Sequence, residues 1–299
     1  MKVYDTHSDI FSNLYERKIS GEKNVFEKYH LSPMTKGNIK GGIWVVYSEC
    51  DFDVYEAYKI ALKEFEPFKD NYDVVYGLEG LRNVHTLDDL NKMYELGVRH
   101  AMLTWNEENH LATGVAGDAN RGLTKTGKEF LDYMKSHHMM IDVSHLNIKS
   151  FYDVVDYVGD TVIASHSNAY SLSDHRRNLN DDQLKMLKSV GGYVGAVSAR
   201  NFVSKDPSLQ NVKGLANQII YLGDKLGIDH IMLGLDIMDF LKGYEGDNAN
   251  LDDLRGHGDT LNLIEELKRR NLTNEEIEKI AYKNFMNYRK GMKINEKND

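Results

Sequence analysis

In this 299-residue sequence, side chains of metal-binding type close a series of short apolar runs. One run ends in Thr6-His7-Ser8-Asp9, another in Gly77-Leu78-Glu79-Gly80, and a third in Asp142-Val143-Ser144-His145. Two more end in Ala164-Ser165-His166-Ser167 and Gly234-Leu235-Asp236. Imidazole and carboxylate are the ligand types that hold Zn²⁺ and similar cations. A water on such an ion becomes a nucleophile near neutral pH. Side chains alternate along a strand, so His7 and Asp9 point the same way. Taken singly, each residue has an ordinary explanation. An isolated H-x-D is most often a capping or surface pair, and a lone His145 or His166 is a partly buried structural histidine. Glu79 alone could be a helix-start carboxylate and Asp236 a helix cap. Their coincidence at five run ends favours a metal centre, provided the fold brings those ends together. The other histidines are less pointed. His137 and His138 fall at a helix end, and His30, His85, His100 and His257 read as structural or solvated.

The elements that must do this positioning are legible as a repeat. Eight strand-like runs rich in Val, Ile, Tyr and Leu occupy 2–6, 42–47, 73–78, 100–104, 139–144, 161–165, 192–198 and 230–235. Several are nearly apolar throughout, as expected of parallel strands buried on both faces. Helical patterns fall at 53–66, 87–96, 126–137, 147–158, 180–190, 214–226, 260–270 and 274–290. Asn147 is a plausible cap, and Thr273 followed by Glu275 and Glu276 reads as a helix start. Eight βα units in one chain predict an α/β fold, a (β/α)8 TIM barrel forming a single domain over 1–299. No G-x-G-x-x-G follows the first strand to support an open doubly wound sheet. In a TIM barrel the active site lies at the C-terminal ends of the strands, where the ligand-type residues stand.

Composition narrows the function classes. The chain carries 37 basic and 46 acidic residues, a net charge of −9, which argues against a nucleic-acid partner. No apolar run is long enough for a membrane span, so no membrane role is expected. A single cysteine, Cys50, excludes an intrachain disulfide, and the N-terminal residues lack an apolar leader; both fit a cytoplasmic location. A homodimer is left open.

The same segments resemble the renal or membrane dipeptidase family of zinc metallopeptidases, in the amidohydrolase superfamily. The resemblance rests on Asp5-Thr6-His7-Ser8-Asp9, Gly77-Leu78-Glu79-Gly80, Ile141-Asp142-Val143-Ser144-His145 and Ser165-His166-Ser167-Asn168-Ala169-Tyr170. Arg176-Arg177-Asn178-Leu179-Asn180-Asp181 and the closing Ile280-Ala281-Tyr282-Lys283-Asn284-Phe285 continue it. The resemblance implies two Zn²⁺ per chain: His7 and Asp9 on one, His145 and His166 on the other, and Glu79 bridging. It implies that Asp236 handles the proton of a shared hydroxide and that Arg177 pairs with the C-terminal carboxylate of a small dipeptide substrate. A carboxylate can bridge two cations, and Arg forks onto a carboxylate with two parallel hydrogen bonds.

The sequence also departs from the family. Where Leu-Thr-His is usual after the fourth strand, this chain has Leu103-Thr104-Trp105-Asn106, so Asn106, Asn109 or His110 is expected to supply the missing donor. The eighth strand reads Gly-Leu-Asp-Ile-Met-Asp-Phe rather than Gly-x-Asp-Phe-Asp-Gly. The first reading is a binuclear zinc dipeptidase. The rivals are an amidohydrolase acting on a non-peptide amide, lactam or ester, and a metal-binding barrel without turnover.

Overall fold

Eight parallel strands close into a barrel in strict chain order in the structure, a computed structural model that describes residues 1–241, 243 and 249–292. They are β1 (Val3–Ser8), β2 (Ile39–Tyr47), β3 (Asp73–Glu79), β4 (Val98–Met102), β5 (Met140–Asp142), β6 (Ile163–Ala164), β7 (Tyr193–Ala196) and β8 (Ile231–Leu233). β1 pairs with both β2 and β8, which completes the ring. The main outer helices are α1 (Ile10–Ile19), α2 (Val54–Phe65), α3 (Leu87–Glu95), α4 (Lys125–Ser136), α5 (Ile148–Val158), α6 (Asp181–Ser189), α7 (Val212–Leu226) and α8 (Thr260–Arg269). Shorter helical turns fill several connections. The TIM barrel expected from the repeat is the fold of this chain.

The barrel interior is filled by Tyr4, Ile43, Val45, Val75, Met140, Ile163 and Met232. Phe285 and Tyr288, from the helix Asn284–Gly291, plug the end where the strands begin: Phe285 lies 5.9 Å from Tyr4 and Tyr288 lies 5.0 Å from Tyr193. That leaves the opposite mouth free for a site. Outside the sheet, Phe11, Phe26, Trp44, Tyr58 and Phe65 form a fully buried aromatic layer under the helices. No helix among the described residues is long and apolar enough to cross a membrane.

The helix starts follow their local chemistry. Asn147 accepts from the Ser150 N–H, and Asn180 and Thr273 form capping boxes with Gln183 and Glu276. Several strand boundaries differ from the sequence reading. β1 runs on to Ser8, so His7 belongs to the strand itself, and β5, β6 and β8 are only two or three residues long. The helix expected over 274–290 runs unbroken from Asn274 to Gly291 and contains a π segment, Lys279–Lys283.

Candidate metal centre

Barrel closure brings all six ligand-type residues to one mouth. Glu79, at the end of β3, stands between the others. Its Oε2 lies 3.2 Å from His7 Nε2, while its Oε1 lies 2.8 Å from His145 Nε2 and 3.6 Å from His166 Nε2. His7 Nε2 is also 3.9 Å from Asp236 Oδ1. His7, Glu79 and His166 form one group able to hold an ion, and His7, Asp9 and Asp236 another. All are buried except Asp236, which is partly open to the cavity.

The cluster carries signs of a cation-binding design. His7 Nδ1 and Asp9 Oδ1 are buried with no hydrogen-bond partner, and His7 Nε2 meets only the carboxylates of the cluster. His145 and His166 face each other, with Nε2 atoms 2.8 Å apart. Each ring has its other nitrogen engaged: His145 Nδ1 lies 2.9 Å from Asn106 Oδ1, and His166 Nδ1 lies 2.8 Å from Ser165 Oγ. An amide oxygen only accepts, so Asn106 fixes the proton of His145 on Nδ1 and turns the Nε2 lone pair toward the cluster. Orphaned donors and acceptors of these types, converging in a buried site, fit divalent cations.

Without a cation, the charges lean on one another. Burial would push the His7 imidazole down, but Glu79, Asp236 and Asp9 outweigh it and its pKa rises to about 10. Burial and the neighbouring Glu79 hold Asp9 well above the usual carboxylate range. Burial alone would raise Glu79, but His7 and His145 hold it well below its ordinary value. Burial and then Arg177 push His145 down to about 4. Burial lifts Asp236 to about 6, with Glu79 adding to the rise and His7 and Arg177 opposing it.

The backbone here is under strain. His145 and Asp236 have φ of 69° and 53°, the left-handed region that costs a non-glycine residue about 1–2 kcal/mol. Supporting bonds hold them. The Val115 N–H donates to the His145 carbonyl at 2.9 Å, and the Asp236 N–H donates to the His7 carbonyl at 3.3 Å. Gly80, directly after Glu79, has φ +87°, and a Cβ there would meet the Trp105 nitrogen at 2.9 Å.

Two carboxylates that the sequence reading gave no role organise the ligand loops. Asp5 Oδ1 accepts the N–H groups of His7 at 3.2 Å and Leu235 at 2.7 Å, while its Oδ2 lies 2.9 Å from His257 Nε2. Asp142 Oδ1 accepts from Ser144 at 2.9 Å and Ser165 at 3.2 Å, the residues just before His145 and His166. Its Oδ2 lies 2.8 Å from His100 Nε2. A lone acid in the apolar run Met139-Met140-Ile141-Asp142-Val143 was the available signal. His100 and His257 are thus structural, as expected, but in the service of the ligands.

A cavity of about 300 Å³ opens above the cluster, lined by Asp9, Glu79, Asn106, His145, Arg177 and Asp236 among others. Arg177 is buried, and its Nη2 lies 2.8 Å from His166 Nε2. Burial lowers its pKa to about 10. Of the donors considered for the missing family histidine, Asn106 lines this cavity and Asn109 does not. The Asn109 side chain donates to the Leu103 carbonyl and accepts from the Leu111 and Ala112 N–H groups, bracing its own loop. His110 turns away to the Val84 carbonyl.

Residues 64–297 match the family model of membrane dipeptidases, peptidase family M19. The chain belongs to this family. The chain is 36% identical over 211 residues to an uncharacterized dipeptidase of Schizosaccharomyces pombe, covering 69% of this chain and 49% of that one. It therefore spans about half the length of that relative. The dipeptidase tcpJ of Claviceps purpurea is 24% identical over 292 residues, 86% of this chain and 67% of the relative. Among solved structures, a metallopeptidase from Rhodobacter sphaeroides, liganded with a phosphinate mimic of the dipeptide L-Ala-D-Ala, superposes with a TM-score of 0.81 at 19% identity, covering 98% and 99% of the two chains. This membership agrees with the sequence resemblance and extends the barrel likeness over nearly the whole chain.

Proposed function

We propose that this chain is a metal-dependent dipeptidase holding two divalent cations, zinc by preference. His7 and Asp9 would hold one, His145 and His166 the other, and Glu79 would lie between them. The observation that carries the count is the split of Glu79: one oxygen faces His7 and the other faces the His145–His166 pair. When bound, such ions polarise a peptide carbonyl and lower the pKa of an attacking water.

The chain's own groups supply the rest. Asp236 lines the cavity beside His7 and accepts the proton of the attacking water. It then returns that proton to the leaving amine nitrogen. Arg177 is a buried guanidinium with no carboxylate in ion-pair range among the described residues, which suits it to fork onto the carboxylate of a free dipeptide. Asn106 holds the His145 tautomer and lines the cavity. The test is a comparison of a dipeptide with its C-terminal amide on the metal-loaded protein. Turnover of the dipeptide at least tenfold faster is expected. Equal rates would remove Arg177 from substrate binding, and turnover of non-peptide amides or lactones alone would replace the dipeptidase reading.

A further inference from the structure

Beside the metal-side cavity lies a second and larger one, about 840 Å³, within the size range of small-molecule sites. The two share His145, Arg176 and Arg177 as walls. They differ in chemistry. The smaller holds the acids, imidazoles and guanidinium groups, with Trp105, Phe202, Met238 and Leu241 completing its wall. The larger is faced by Val115, Leu146, Ile148, Tyr152 and Tyr170.

Several polar side chains on the larger cavity are already engaged, whereas Ser167 Oγ is buried there with no hydrogen-bond partner. Asn147 caps α5 and donates to the Asp118 and Arg121 carbonyls. Lys149 pairs with Asp153 at 2.6 Å. Gln183 and Asn180 close their capping box. At the rim, Ile148 and Tyr170 are 59% and 45% exposed, so two large side chains face solvent where the cavity opens. Arg177 stands at the junction, 5% exposed and lacking a carboxylate partner among the described residues. A desolvated cation of this kind calls for an anion from the ligand.

We infer that the larger cavity is a specificity subsite that takes the side chain of the substrate's C-terminal residue and selects large apolar or aromatic side chains there. This rests on the dipeptidase reading, with Arg177 taking the carboxylate. The carboxylate, the side chain and the peptide nitrogen all leave one Cα. With the carboxylate on the wall common to both cavities, the peptide nitrogen leads back toward the metal ligands. The side chain is then delivered to the apolar side. The smaller cavity, at about 300 Å³, is already claimed by the metal ligands and the peptide bond, whereas the larger, at about 840 Å³, has room for an apolar group that displaces water from carbon surface.

The experiment measures kcat/KM of the metal-loaded full chain on Ala-Phe, Ala-Leu and Ala-Gly, each apolar residue in both enantiomers, and on Phe-Ala and Gly-Ala. The expected result is a preference of about 10–200-fold for Ala-Phe or Ala-Leu over Ala-Gly, the discrimination an apolar pocket supplies. Phe-Ala and Gly-Ala should differ much less. Ile148→Trp, at the exposed rim, and Val115→Trp, on another wall, fill the cavity and should each bring the Ala-Phe to Ala-Gly ratio toward one. Unchanged metal content and melting temperature show that either variant has folded. Equal values for Ala-Phe and Ala-Gly would overturn the subsite. So would a preference that follows the N-terminal residue, or a ratio that survives in both filled variants. A chain that cleaves none of these dipeptides overturns the dipeptidase reading itself, and the subsite with it.

Discussion

Asp236 is the residue on which the proposed chemistry turns. It lines the cavity in strained left-handed backbone, and burial lifts its carboxyl to about 6. Asp236→Asn keeps the size but cannot take a proton. Turnover should drop about 10²–10⁴-fold, with metal content retained. A variant with a slightly lower melting temperature and full kcat would reduce Asp236 to a structural role. A cation beside Asp236 favours its charged form, so kcat/KM should fall only as pH drops through 6 or lower. A limb well above pH 6 would point to another base. At this scale the sequence was readable where a residue's type is itself the signal: His7, Asp9, Glu79, His145, His166 and Asp236 all reach one mouth. Asn106 and Asn109 are the same residue type three positions apart, and only the loop fold decides that Asn106 faces the cavity while Asn109 braces Leu111 and Ala112.

At the scale of elements, β5 and β6 are too short to aim His145 and His166 by strand geometry alone. Asp142 supplies the missing constraint by gripping the N–H groups before both histidines, and His100 steadies Asp142 from β4. On its other side, His100 abuts β3, where a Cβ at Gly77 would meet its Nδ1 at 2.5 Å. Asp142→Asn keeps one acceptor but loses the charge, so divalent-ion affinity at the His145–His166 side should weaken about 10–100-fold. Chelator competition on folded protein measures this; unchanged affinity would mean that the strand ends alone aim the ligands. The caps at Asn147 and Thr273 were legible because capping is local chemistry. The Asp5–His257 and Asp142–His100 pairs were not, since residues 252 and 42 positions apart meet only after the barrel closes. The π segment of the last helix answers to the barrel floor it plugs rather than to its own sequence period.

At the scale of the whole molecule, the barrel was legible because eight apolar runs alternate with amphipathic helices and parallel strands need both faces covered. Outside the site, the buried His30 tests this packing. It lies 2.9 Å from Asn13 Oδ1, and burial, then His257 and Arg17, hold its pKa well below the ordinary 6.5. The unfolded chain therefore takes up a proton near pH 6.5 that the fold refuses, so the histidine's contribution to stability is lost as pH falls. The stability advantage of wild type over His30→Gln should shrink below pH 6.5 by up to about 1.4 kcal/mol per pH unit. Urea midpoints at pH 8 and pH 5.5 measure it, and an advantage that grows in acid would contradict the burial. The most direct test of the account as a whole is to strip the protein of metal and follow dipeptide hydrolysis as Zn²⁺ is added back. The account predicts no turnover without metal and a rise that levels off at two ions per chain; a plateau at one ion, activity in the stripped protein, or no turnover at any zinc level would contradict it.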